Sequence, residues 1–294
     1  MTQQDRPSLS TIRPDAPGRA PGPSRTIRPF LTSGAPALLF LLGFTAVYLI
    51  AVATQFGQLA ENSLIKGYAD SAWVFQWTGP SDGWGPPLLV HNSAMPTLAA
   101  GTVLIAAVAL VRRCWWHGCA AISVVVATVG GTEAFRAVLP RPDLTGATEG
   151  LTGTSFPSGH VAIAAGLTLG AVLVASPRVR PYVAAAGMLW LAFTAAAVQA
   201  LYWHRPSDAL GATLLACACY SLAARLLPPS AAAGPKRRPR ALPATALALS
   251  AAGALAASAR EDSATRPLAF ATAALLCSAL VWIAVADRGQ RRAA

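Results

Sequence analysis

Two of the four histidines in this chain stand in short polar clusters beside long apolar runs, and each cluster holds a neighbour that gives the imidazole work to do. In His204-Arg205-Pro206-Ser207-Asp208 the carboxylate lies one helical turn after the histidine. A carboxylate bonded to one ring nitrogen fixes the tautomer and leaves the other nitrogen nucleophilic. In Ser155-Phe156-Pro157-Ser158-Gly159-His160 the polar residues come just before an apolar helix. A helix N-terminus offers free N–H groups and partial positive charge, a ready seat for an anion. Gly159 allows close backbone approach, and His160 at the rim would exchange a proton near neutral pH. A third cluster, Leu139-Pro140-Arg141-Pro142-Asp143, holds a guanidinium between two prolines, suited to bidentate recognition of phosphate. Plainer roles stay open for each residue: Ser158 as a helix cap, Asp208 as a cap beside an unrelated histidine, Arg141 as a residue facing lipid headgroups.

The elements that must position these groups are membrane helices. Only 12% of the 294 residues are charged and 54% are hydrophobic, against about 25% charged in ordinary soluble domains. A spanning helix needs about 20 mainly apolar residues. Such runs occur near 35–54, 95–111, 117–138, 160–176, 182–202, 208–227, 243–259 and 267–286. They predict an all-α integral membrane protein of eight spans. The helix carrying Asp208 is expected to begin near Arg205, because proline is tolerated in a first turn.

The basic residues set the orientation. They concentrate in alternate connections: the N-terminal segment, Arg112-Arg113, Arg178 with Arg180, Arg225 with Lys236-Arg237-Arg238 and Arg240, and the C-terminal end. The positive-inside rule puts those segments, and both termini, in the cytoplasm. All three polar clusters then fall on the outer, extracytoplasmic side of a cell membrane. The expected organisation is a disordered cytoplasmic tail at 1–33 and a six-helix membrane domain at 34–227. A basic cytoplasmic linker at 228–242, a two-helix appendix at 243–286 and a cytoplasmic tail at 287–294 complete the chain. Within the first domain, 55–94 forms an outer surface loop whose Trp73, Trp77 and Trp84 suit the headgroup zone, partly as an amphipathic helix around 57–76. Its Gly79-Pro80 and Gly85-Pro86-Pro87 mark turns.

Several functions are disfavoured by the same features. The net charge of +11 taken alone suggests nucleic acid, but the basic residues lie in short segments between apolar runs, a pattern fitted to anionic membrane lipid. Five cysteines lie in or beside apolar runs, and Cys217-Ala-Cys219 lacks the spacer of a metal knuckle, so neither a disulfide framework nor a metal site is expected. A transporter would place polar residues near mid-membrane, where this chain has few.

The ordered clusters resemble the three-part signature of the type 2 phosphatidic acid phosphatase superfamily, which also includes bacterial acid phosphatases and vanadium haloperoxidases. That signature runs Lys, six residues, Arg-Pro; then Pro-Ser-Gly-His; then Ser-Arg, five residues, His, three residues, Asp. Here Arg141-Pro142, the complete Pro157-Ser158-Gly159-His160, and His204 with Asp208 match it in order and spacing, over about 35–227. The resemblance implies a six-helix phosphatase-like transmembrane core, extended here by two additional C-terminal transmembrane helices. It also implies a phosphatase without metal or other cofactor: His204 as nucleophile, Asp208 orienting it, and His160 as the acid and then the base. Arg141, the Ser158 hydroxyl and the Gly159 N–H would bind phosphate.

Two expected cations are replaced. The family's lysine position is Ala134, and its Ser-Arg pair is Ala197-Val198. Arg136 and Arg205 are the nearby substitutes, although on a continuous helix Arg136 lies about 200° around from position 134. The expected function is hydrolysis of lipid phosphate or diphosphate monoesters at the extracytoplasmic face, in a bacterial envelope, through a phosphohistidine. The partners are the lipid substrate and membrane lipid. The alternative is a weak or inactive relative that binds lipid phosphate or assists envelope assembly.

Overall fold

The computed structural model describes residues 28–65, 71–74, 94–139, 141–147, 153–227 and 242–291. Most of the tail 1–33, the linker 228–242 up to 241, Trp77, Trp84, the two Gly-Pro turns and Pro140 lie outside the described residues. The chain divides into two units, Met1–Ser33 and Gly34–Ala294, and all three polar clusters belong to the second.

Among the described residues the fold is all-α. Helix α1 (Arg28–Val47) continues into a π-helical turn, Tyr48–Val52. Then come α2 (Gln55–Leu64), α3 (Ala94–Val111), α4 (Trp115–Val138), α5 (Gly159–Val174), α6 (Arg180–Ala200), α7 (Pro206–Leu226), α8 (Leu242–Ser258) and α9 (Arg266–Arg291). Six stretches among the described residues are long and apolar enough to cross a membrane: Ala35–Val52, Ala94–Val111, Trp115–Val138, Arg180–Ala200, Pro206–Leu226 and Arg266–Ala286. The runs expected at 160–176 and 243–259 form shorter apolar helices, Gly159–Val174 and Leu242–Ser258.

The shortness of α5 has a packing reason. It is the central helix, in contact with α3, α4, α6, α7 and α9, and nearly all of it from Val161 onward is buried. Protein rather than lipid surrounds it, so its length is not tied to the roughly 30 Å apolar thickness of a bilayer. Small residues allow the close approach. A Cβ on Gly187 of α6 would come within 2.2 Å of the Thr168 side chain of α5. The outer surfaces are the reverse: Leu39, Val103, Val111 and Leu226 are all largely exposed, as apolar side chains facing lipid would be.

Helix α2 is shorter than the amphipathic helix expected around 57–76, and it is turned the unusual way. Thr54 caps it, its Oγ accepting from the Gly57 N–H at 3.0 Å. Its polar residues Gln58, Glu61 and Asn62 are buried, while Phe56 and Leu59 are 81% and 54% exposed. The i, i+3, i+4 spacing places the three polar residues on one face, and that face turns into the protein.

The helix ends divide into two sets. The C-terminus of α4, the N-terminus of α5 and the α6–α7 turn share one end of the bundle. The α3–α4 and α5–α6 connections, with Arg112, Arg113, Arg178 and Arg180, lie at the other. There Arg112 donates to the Val174 carbonyl, and Arg180 donates to the Val172 and Ala175 carbonyls, each at 3.2 Å. These cations close the C-terminus of α5, where the helix dipole favours them. Helix α9 packs on α6, α7 and α8, and α8 packs on α6.

Candidate active site

The segment before α5 is anchored by an aromatic cluster. The Phe156 ring lies 5.4 Å from Phe44, 5.7 Å from Tyr48 and 5.7 Å from Phe135, centroid to centroid. It also fills the space over Gly211 of α7, where a Cβ would come within 2.5 Å of the ring. With Phe156 fixed, Ser158 caps α5 by accepting from the Val161 N–H at 3.5 Å. The Ser158 N–H donates in turn to the Asp208 carbonyl at 3.0 Å. The second and third clusters are therefore joined through the backbone, and His160 enters the site from the first turn of α5.

His204 is set by the reversal between α6 and α7. The Val198 carbonyl accepts from the Trp203 N–H at 3.0 Å and the His204 N–H at 3.2 Å. Tyr202 takes a left-handed conformation, φ +59°, which L-residues with bulky side chains seldom adopt. Helix α7 then starts at Pro206, as its sequence suggested. The buried Asp208 carboxylate accepts at Oδ2 from the Arg205 N–H at 2.8 Å and lies 3.3 Å from His204 Nδ1. An ionised carboxylate only accepts, so Nδ1 carries the proton and Nε2 keeps its lone pair. The His160 and His204 ring centroids are 6.1 Å apart, a gap that one phosphoryl group can bridge.

Both rings face a cavity of about 470 Å³, whose lining includes Glu133, Arg136, Ser155, Gly159, His160, His204 and Arg205. Arg136 donates from Nε to the Pro157 carbonyl at 2.9 Å and from Nη1 to Glu133 Oε1 at 3.1 Å. Its guanidinium lies against Gly159, 3.6 Å from where a Cβ would stand. On α4, Val129, Glu133 and Arg136 form the cavity-facing row, spaced as one helical face, whereas Ala134 is exposed elsewhere on the helix. Arg205 also lines the cavity and is 4% exposed. It donates to Asn62 Oδ1 at 3.1 and 3.3 Å and to Ser155 Oγ at 2.9 Å. Burial, and then the neighbouring Arg141 charge, lowers the Arg205 pKa, opposed by Asp208 and Glu61.

The remaining site residues lie behind the cavity. Arg141, 8% exposed, pairs with Glu61 Oε2 at 3.5 Å and does not line the cavity. Ser158 is fully buried, its hydroxyl acting as the helix cap. Asp208 stands behind His204. Asp143 accepts from the Thr145 and Ala147 N–H groups at 3.1 and 3.3 Å, bonds that hold its carboxyl below the usual range and make it a turn former.

Helix α2 supplies three residues that contact the candidate site and lie outside the three sequence clusters. Gln58 donates to the Val52 and Pro142 carbonyls at 2.7 and 2.6 Å and accepts from the Leu144 N–H at 3.2 Å, which fixes the Arg141 segment. Glu61 accepts from the Ser207 N–H and hydroxyl, each at 2.9 Å, at the N-terminus of α7. Burial, and then the charge on Asp208, raises the Glu61 pKa against the lowering effect of Ser207 and Arg141. Asn62 holds Arg205. The signal available in the sequence was a polar row, Gln58, Glu61 and Asn62, following a capping Thr54; its inward direction was not readable from it.

A family model described as the PAP2 superfamily matches residues 114–231, from the N-cap of α4 to just beyond α7, including all three clusters. No curated protein and no solved structure matches the chain.

Proposed function

We propose that this chain is a membrane phosphatase that hydrolyses lipid phosphate or diphosphate monoesters through a phosphohistidine, a reading supported by the match of residues 114–231 to the PAP2 superfamily model. That match suggests phosphatase activity, and six apolar helices suggest a multi-pass membrane protein. The observation that carries the finer reading is the pair of imidazoles across one cavity, one of them backed by a buried carboxylate.

In the proposed first step His204 Nε2 attacks phosphorus. The bond from phosphorus to the lipid oxygen breaks, and protonated His160 gives its proton to that oxygen. In the second step His160 takes a proton from water, the water oxygen attacks phosphorus, and the P–N bond breaks to release inorganic phosphate and restore His204. Arg136, Arg205 and the Gly159 N–H face the phosphoryl oxygens. They take over the work of the missing cations at Ala134 and Val198 and stabilise the charge that develops. Arg141 and the Ser158 hydroxyl support this from behind the cavity.

A lipid substrate is supported by the apolar part of the cavity lining, Ile65, Ala94, Met95, Val129 and Ile163, which accompanies the polar groups. A mixed polar and apolar lining suits a headgroup with its chain attached. Phosphatidic acid, phosphatidylglycerol phosphate and polyprenyl diphosphates share that chemistry. The basic connections at the opposite end support an extracytoplasmic cavity and cytoplasmic termini. In this reading α5 and α8 also cross, so a six-helix phosphatase core carries two further C-terminal spans in a cell membrane.

The test is phosphate release by the purified protein from a panel of these lipids. We expect turnover that is unchanged by EDTA and lost in His204→Ala. Equal rates for variant and parent would sink the mechanism. One observation favours a second reading, a lipid-phosphate binder with little turnover: Arg141 is engaged by Glu61 and the Glu133 carboxylate lines the cavity. Saturable binding of the same lipids without release of phosphate would select it.

A further inference from the structure

The loop between α8 and α9, outside the segment matched to the superfamily, closes on the turn that carries His204. Arg260 is 8% exposed. Its Nε and Nη2 each meet Asp262 at 2.8 Å, its Nη1 donates to the Ala200 carbonyl at the end of α6, and its guanidinium carbon lies 3.8 Å over the centre of the Tyr202 ring. Arg266 donates to the Tyr202 hydroxyl at 2.6 Å and lies 3.6 Å from Asp262. The loop is itself tied down. Ala72 and Arg260 form an antiparallel bridge, the Glu261 N–H donates to the Ser71 carbonyl at 2.9 Å, and the Trp73 indole N–H donates to the Ala256 carbonyl.

Tyr202 needs such a hold. Its left-handed backbone is unfavourable for a bulky L-residue and persists only where its surroundings over-determine it. The residue lines the cavity beside Trp203 and His204, and the Trp203 ring lies 5.8 Å from the His160 ring, tilted by 40°. A cation over a tyrosine face and a planar fork on a carboxylate are both directional contacts. Together they fix the ring and hence the turn, through contacts separate from those of Asp208.

We propose that Arg260, with Asp262 and Arg266, is a positioning group for the nucleophile-bearing turn, so that the two C-terminal helices are part of the active site. This rests on the reading of His204 as the nucleophile. A displacement of about 1 Å at a reacting group costs on the order of 10² in rate. The effect therefore falls on kcat and leaves binding of the lipid, whose chain meets Ile65, Ala94, Met95, Val129 and Ile163, little changed.

The experiment uses the full-length protein in detergent micelles, with dioleoyl phosphatidic acid and a polyprenyl diphosphate as probes. It measures kcat, KM and melting temperature for the parent and for Arg260→Ala, Arg260→Lys and Asp262→Asn. We expect Arg260→Ala to lower kcat by about 10- to 100-fold with little change in KM. Arg260→Lys, which keeps a cation over the ring, and Asp262→Asn should show smaller losses of the same kind. Parental kcat in a folded Arg260→Ala overturns the proposal, as does a loss that follows melting temperature and raises KM equally. If Arg260→Ala does not fold, parental kcat in both milder variants overturns it. If the parent releases no phosphate from either probe, the phosphatase reading fails alone, and the ring-nitrogen NMR signals of His204 decide. They shift in Asp262→Asn if the loop positions the turn, and unchanged signals overturn it.

Discussion

The Ser158 N–H donates to the carbonyl oxygen of Asp208 at 3.0 Å, so the residue capping the helix of His160 is bonded directly to the residue whose carboxylate meets His204 Nδ1. The bond uses backbone atoms on both sides. It fixes the spacing of the two imidazoles without reference to either side chain, and the Phe156 ring seated on Gly211 supports it from within the bundle.

Gly211→Ala should therefore be costly. Its Cβ would come within 2.5 Å of the Phe156 ring, part of a packed aromatic cluster with little room to move. Overpacking of this kind costs about 1–3 kcal/mol. Thermal unfolding in detergent should show a lower melting temperature, and kcat should fall as the two rings move apart. An unchanged melting temperature would show that Phe156 is not held where the structure has it.

Asp208→Asn tests the orienting carboxylate. An amide at that place can present its NH2 group to Nδ1 and stabilise the wrong tautomer. We expect a fall in kcat on the order of 10³–10⁴ with KM little altered, measured by steady-state phosphate release. A loss below tenfold would mean that His204 does not depend on Asp208.

Arg136→Ala and Arg205→Ala should each lower kcat by about 10²–10³ as phosphate ligands. They should differ in stability. Arg205→Ala leaves Asn62 and Ser155 without their buried donor and should melt earlier, whereas the half-buried Arg136 should matter less. Ala134→Lys restores the family's residue but at an exposed position off the cavity-facing row. It should bring no measurable gain in kcat, and a large gain would place the α4 register in doubt.

Glu61 predicts a pH dependence of stability. Its folded-state pKa lies above its ordinary value near 4.5, chiefly because it is buried and then because of Asp208. Folding thus favours the protonated form. The stability it contributes is complete below the ordinary value and is lost as pH rises through the raised one. Glu61→Gln fixes the neutral state. The drop in melting temperature between about pH 5 and about pH 8 should be smaller in the variant than in the parent. Identical drops would assign the dependence to other groups.

Much of the membrane architecture and one half of the site were legible in the sequence, for identifiable reasons. Apolar runs broken by polar clusters predict helices and their ends, and the alternation of basic connections predicts that His160, His204 and Arg141 share one end. What stayed hidden was direction. On α4 the helical angle sets Arg136 apart from position 134, but it does not say which of the two meets the cavity. The cavity is faced by Val129, Glu133 and Arg136, a row that position 134 does not join. The polar face of α2 has the same spacing as a water-facing stripe, yet Glu61 and Asn62 turn inward because Arg141, Ser207 and Arg205 require partners there. The contacts of Arg260 and Arg266 with Tyr202 join residues far apart in sequence, and no local pattern marks them.

The central claim is that His204 becomes covalently phosphorylated, and rapid quenching tests it most directly. The purified protein is mixed with ³²P-labelled phosphatidic acid or polyprenyl diphosphate, denatured within the first turnover and mapped by peptide. The account predicts label that is stable in alkali and labile in acid, on the peptide containing His204, retained longer in His160→Ala and absent from His204→Ala. Phosphate release with no labelled protein in the parent or in His160→Ala, or label on a residue other than His204, would contradict it.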